Sequence, residues 1–106
     1  MADAGNGQAH FEVHLSGFVA ENVRQLQRQA WQEGHGPSFI FAMRSITRRL
    51  KNNPREFGEP LYSLPGLSLQ IRHAAIGPVL IDFAVHDHLP LVFIKAYLCF
   101  LVKKLE

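Results

Sequence analysis

Arg44, Arg48, Lys51 and Arg55 recur at steps of four, three and four. That spacing stacks cations along one face of a helix. Such a face can hold the phosphates of RNA or DNA. The plainer reading is a solvated helix face, since an amphipathic helix needs a polar side and arginine is a good helix former. A second group, Arg72, Asp82, Lys95 and Tyr97, falls in strand-like segments. There Arg72 and Lys95 would bring positive charge to a phosphate. The plainer alternative is a structural ion pair with aromatic cover.

Other reactive side chains point to less. His86, Asp87 and His88, with Asp82 nearby, supply two metal ligands at best, because adjacent turn residues face opposite ways. Zinc takes three or four protein ligands. His10, His14, His35 and His73 have no ligand spacing, so neither a metal nor a cofactor is expected. Cys99 would need a basic neighbour to become a nucleophile, and no histidine is expected beside it. Trp31 near the end of the first helix reads as core or hairpin packing.

These residues need elements to position them. His10 to Ser16 alternates, with Phe11, Val13 and Leu15 on one side, and reads as a first strand. Phe18 to Gln32 places Val19, Val23, Leu26 and Ala30 on one helical stripe. Gly34-His35-Gly36-Pro37 breaks it, and Pro37 suits the first turn of a second helix. That helix runs from about Ser38 to Asn52, burying Phe39, Met43, Ile46 and Leu50, and Asn53-Pro54 stops it. Glu56 to Gly66, with Gly58, Pro60, Pro65 and Gly66, reads as a loop.

From Leu67 the period is two again. Leu67 to Arg72, Val79 to His86 and Leu91 to Val102 read as a meander of three strands. The expected fold is α+β, β-α-α-β-β-β, with a helical hairpin on one face of a mostly antiparallel sheet. Alternation assigns Leu67, Leu69, Ile71, Val79, Ile81, Phe83, Val85, Val92, Ile94, Ala96, Leu98 and Phe100 to the face beneath the helices. The open face then carries Ser68, Gln70, Arg72, Leu80, Asp82, Ala84, His86, Phe93, Lys95, Tyr97 and Cys99, with Asp82 across from Lys95.

The chain has 106 residues, 47% of them hydrophobic and 19% charged, which fits one core. Residues 10–104 are expected to form a single domain. Met1 to Ala9 reads as a loose polar tail, and Leu105-Glu106 is compatible with a cloning remnant. No apolar run approaches the ~18 residues of a membrane span, and the N-terminus lacks the pattern of a secretory signal. With a lone cysteine, a reducing cytoplasm is the expected location. The net charge is only +2, yet Arg24 to Arg55 holds seven basic residues against one acid, Glu33.

The run Asn53-Pro54-Arg55-Glu56-Phe57-Gly58-Glu59-Pro60-Leu61-Tyr62-Ser63-Leu64 resembles the "NPR…G.PL..L" loop of the RelE/ParE superfamily. These are the small toxins of bacterial type II toxin–antitoxin pairs. Leu69-Gln70-Ile71-Arg72, Gly77 to Val85 and Leu91-Val92-Phe93-Ile94 are similar to its "IR…G..RV.Y.V……V.I" pattern. The resemblance covers about Phe11 to Phe100. It implies a protein that binds a cognate antitoxin, with any toxicity aimed at translation on the ribosome or at DNA gyrase. RelE-type members are ribosome-dependent endoribonucleases with basic groups on the second and third strands and an arginine and a tyrosine near the C-terminal end. Here the matching positions are Ser68, Gln70 and Arg72, of which only Arg72 is basic, then about Leu80, then Leu98-Cys99-Phe100-Leu101 without an arginine. The ribonuclease set is thus largely missing. Two alternatives stand beside antitoxin binding: a divergent endoribonuclease using Arg72, Lys95, Tyr97 and the helix arginines, and a non-toxic homodimer joined through an edge strand or the last strand.

Overall fold

Ser16 starts the first helix of the computed structural model, which describes residues 10–100. Its backbone is extended and its hydroxyl accepts a hydrogen bond from the Val19 amide at 3.2 Å. A cap of this kind is worth about 1 kcal/mol. Before it lies strand β1 (Glu12–His14), shorter than the His10–Ser16 alternation suggests. Helix α1 (Gly17–Gln32) buries Val19 and Ala30 and packs Val23 and Leu26 partly against the core. Helix α2 (Gly36–Asn52) carries Pro37 in its first turn and buries Phe39, Ala42, Ile46 and Leu50. Asn53 and Pro54 end it as expected, and a 3-10 turn follows (Pro54–Glu56).

Four further strands complete the sheet: β2 (Glu59–Leu64), β3 (Leu69–Ile76), β4 (Val79–His86) and β5 (Leu91–Cys99). Their spatial order is β1-β5-β4-β3-β2. β1 runs parallel to β5, and every other pair is antiparallel. The α+β class and the helical hairpin on one sheet face agree with the sequence reading. The strand count does not: the order is β-α-α-β-β-β-β.

β2 is the added strand, where the prolines and glycines suggest a loop. An edge strand tolerates proline because its outer amides need no partner. Pro60 sits at a register shift between Pro60 and Tyr62. A bulge and a proline together blunt a free edge against further pairing.

Two register effects correct the assignment of faces. Leu67 belongs to an exposed 3-10 turn (Pro65–Leu67), closed by Ser68 at φ 55°. β3 therefore starts at Leu69, and Gln70 pairs with Val85, Arg72 with Phe83 and Ala74 with Ile81. Residues directly opposite on paired strands share a face. Since Ile81, Phe83 and Val85 belong to the core under the helices, Gln70 and Arg72 face that side. Leu69 and Ile71, expected inside, point to the open face. The parity of β3 follows its neighbour's register, not its own apolar alternation.

In β5, Asp82 pairs with Ala96 and Phe83 with Ile94, so Lys95 is an extra, bulged residue. A bulge inverts the alternation beyond it. Val92 and Ile94 are core as expected, and past the bulge Tyr97 joins them. Leu98 and Phe100, expected inside, are exposed, and Ala96 is half-buried. The expected Asp82–Lys95 pair is not formed. Leu101, Val102, Leu105 and Glu106, like the Met1–Ala9 tail, lie outside the described residues.

Gly58 tests the junction between the helices and the sheet. Its φ is +71°, and a Cβ there would stand 2.1 Å from the His73 carbonyl oxygen. Gly58→Ala should lose about 2–4 kcal/mol in urea unfolding, combining left-handed strain with a backbone clash. Gly34→Ala, at φ +80° with no atom within 4 Å, should lose only about 1 kcal/mol.

Candidate functional site

Arg72 sits in the middle of β3, beneath the turn that follows α2. It is 6% exposed. Its Nε donates to the Phe57 carbonyl at 3.0 Å, its Nη2 to the Gly58 carbonyl at 3.1 Å and its Nη1 to Gln70 Oε1 at 2.7 Å. No carboxylate is among these acceptors, and burial lowers the guanidinium pKa. Arg72 is thus a backbone clamp turned away from the open face, and Gln70 orients it. Neither is part of an outward phosphate site, because the register of β3 carries both inward.

Arg55 also leaves its expected place. It sits in the 3-10 turn and donates from Nη2 to the carbonyls of His86 at 2.9 Å and Leu89 at 3.2 Å. Its guanidinium lies 4.8 Å from the centre of the Phe11 ring. Proline at position 54 ends the helical progression that would have aligned Arg55 with α2. Arg44, Arg48 and Lys51 do share one exposed face of α2, in a shallow groove with Met43 and Thr47. None of the three has an ion pair among the described residues.

The open sheet face carries a row of paired residues, Tyr62, Ile71, Ala84, Phe93 and His14, one from each strand. The His14 and Phe93 rings stack at 5.5 Å. Lys95 Nζ reaches Tyr62 Oη at 3.4 Å. That contact runs from β5 to β2 and so passes over β4 and β3. It accounts for Ile71 and Ala84 being buried although neither belongs to the cluster under the helices. In the next row Asp82 Oδ1 stands 3.8 Å from His73 Nδ1, and both side chains are 44% exposed. Glu12 accepts from His14 Nε2 at 3.0 Å. The face therefore carries an apolar row crossed by the Lys95 side chain, with the Asp82–His73 pair in the row beside it and the Glu12–His14 pair at its β1 edge.

Of the residues expected there, Asp82, Phe93 and Lys95 are present. Tyr97 is 4% exposed within the core, and Ser68 closes the turn before β3. Tyr62 and His73 were missed. Tyr62 lay in a segment read as a loop, though the pattern Pro60, Tyr62, Leu64 is a weak alternation of its own. In the sequence His73 is only a histidine without ligand spacing.

The histidines of the β4–β5 turn have a local role. His86 Nδ1 accepts from the amides of His88 at 3.1 Å and Leu89 at 3.0 Å. Among the described residues no three His, Cys, Asp or Glu side chains gather as a metal-ligand set, and no helix is long and apolar enough to cross a membrane. Burial, and secondarily the charge of Glu33, pushes the Cys99 thiol pKa up, opposite to what a nucleophile needs. No family model, curated protein or solved structure matches this chain.

Arg72→Ala should therefore act on stability. It leaves the carbonyls of Phe57 and Gly58 without their donor, and thermal unfolding should register a loss of about 2–4 kcal/mol. Tyr97 carries a pH dependence of its own. Burial pushes its pKa up from 10.0 to about 12. Between those values the unfolded chain has released the phenolic proton and the folded chain has kept it, so stability falls as pH rises. The loss should approach roughly 2–3 kcal/mol by pH about 12. It should be absent in Tyr97→Phe when the two proteins are unfolded side by side across that range.

Proposed function

We propose that this chain is a RelE/ParE-like protein of a bacterial toxin–antitoxin pair, and that its open sheet face holds a segment of the cognate antitoxin. The observation that carries this reading is the uncovered face itself. Tyr62, Leu64, Phe93 and Leu98 are exposed large apolar or aromatic residues on the side of the sheet away from the helices. No described element lies over them. A contiguous apolar patch rimmed by charged groups is a usual mark of a protein–protein site. Tyr62 and Phe93 are suited to anchor such a contact, with Lys95, which lies across the face, offering a carboxylate of the partner a cation.

The strand order and the two consecutive helices support the family reading without depending on nuclease chemistry. With Arg72 engaged by backbone carbonyls, the divergent ribonuclease alternative loses its main candidate. Any toxicity would be directed at translation or DNA gyrase. The homodimer alternative is weakened by the blunted β2 edge. Binding in a cytoplasmic setting needs neither cofactor nor metal.

The test is co-expression with the small protein encoded by the adjacent gene. The wild type should co-purify with it at a fixed stoichiometry. Phe93→Glu should weaken the complex at least about tenfold, as expected for a charge in a desolvated anchor position, while its Tm stays within about 2 °C of the wild type. A Phe93→Glu protein that binds the partner as tightly as the wild type would contradict this surface as the site.

A further inference from the structure

The outward face of α1 presents a second surface, on the opposite side of the molecule from the open sheet face. Trp31 is 53% exposed. A Cβ added to Gly36 would meet Trp31 Cδ2, Cε3 and Cε2 at 2.1, 2.3 and 2.4 Å. Cδ2 is a ring-fusion carbon, which can be approached first only from above or below the ring. The indole therefore lies flat on the Gly36 backbone. One of its faces is closed, and its exposure belongs largely to the other. Fixed in this way, the ring gives up little side-chain entropy when something stacks on it.

The groove beside the indole is lined by Arg24, Gln27, Arg28, Trp31 and Gln32, without Gly36. Arg24 is paired with Glu21 at 2.6 Å, whereas Arg28 has no ion pair among the described residues. The amides of Gln27 and Gln32 can donate and accept at a base edge. The surrounding field has one sign: from Gly17 to Asn52 the chain has six cations, Arg24, Arg28, Arg44, Arg48, Arg49 and Lys51, against two carboxylates, Glu21 and Glu33.

We propose that this groove binds single-stranded nucleic acid, with one base stacked on the free face of Trp31 and a neighbouring phosphate held by Arg28. Every base offers a π-face to an aromatic platform, and a cationic surface tracks the backbone. An apolar or acidic peptide could use the indole, but the unpaired Arg28 and the uncompensated cations of α2, Arg44, Arg48, Arg49 and Lys51, favour a polyanion. The surface is distinct from the proposed antitoxin face, so the two readings succeed or fail separately.

Trp31 is the chain's one tryptophan, so its fluorescence reports this site without a label. The full chain is titrated with a short oligouridine, an oligodeoxythymidine of the same length and inorganic polyphosphate of matched charge. At least one oligonucleotide should quench Trp31 saturably, with binding that weakens steeply with salt, while polyphosphate binds without comparable quenching. Anisotropy of a labelled oligonucleotide should show Trp31→Ala weaker by roughly fivefold to a hundredfold, the range for loss of one base stack. Trp31→Phe, which keeps a ring over Gly36, should fall between. Arg28→Gln, away from that packing contact, should weaken binding and reduce the salt slope by about one. The proposal is overturned if neither oligonucleotide quenches, if polyphosphate quenches equally, or if Trp31→Phe and Arg28→Gln both bind like the wild type. Protection of Trp31 by a protein partner with no oligonucleotide effect would also overturn it.

Discussion

A buried guanidinium holding two backbone carbonyls ties the helical half of this protein to its sheet. Arg72 reaches from the middle of β3 to Phe57 and Gly58, the residues through which the chain turns from α2 into β2. Burying a cation is costly unless its donors are satisfied. Here three donors find neutral oxygen acceptors, and the last of these is Gln70 on the same strand. With the turn fixed, Phe57 stacks on Phe83 at 5.7 Å and receives the Arg49 guanidinium 4.7 Å from its ring centre. Arg55 extends the same end of the molecule to the β4–β5 turn. Arg72 and Arg55, two members of the candidate anion-binding set, thus bind the protein's own carbonyls and, for Arg55, the Phe11 ring.

That clamp shapes the other side of the sheet. Because Gln70 and Arg72 face inward, Leu69 and Ile71 face outward and make the open face more apolar than their alternation suggests. The Lys95–Tyr62 contact covers Ile71 and Ala84 but leaves Tyr62, Phe93 and Leu98 exposed. The bulge at Lys95 contributes twice: it frees the lysine to reach toward β2, and it turns Tyr97 into the core. The exposed apolar residues of this face therefore arise from pairing register and one extra residue in β5.

The two sides of the molecule differ in the chemistry they offer. The sheet side is apolar, with charges mostly paired locally as Glu12–His14 and Asp82–His73. The helical side is cationic, with most of its arginines and its lysine unpaired. Its one tryptophan lies flat over glycine. Desolvation of apolar area would drive binding on the first side, and counterion release would drive it on the second.

Local patterns in the amino-acid sequence determined much of this fold. The two helices, their buried stripes, the breaker at Gly34–Pro37, the stop at Asn53–Pro54 and the core parity of β4 all follow from periodicity and backbone chemistry within a few residues. The cationic face of Arg44, Arg48 and Lys51 was legible for the same reason. Tertiary structure alone decided the rest. β2 became a strand because an unpaired edge accepts proline, and β3 took its parity from β4. A bulge in β5 exchanged Tyr97 for Leu98, and Arg72 and Arg55 were drawn to carbonyls distant in sequence. Those outcomes depend on cross-strand register and on unsatisfied backbone acceptors, which are properties of paired segments and not of any one segment read alone.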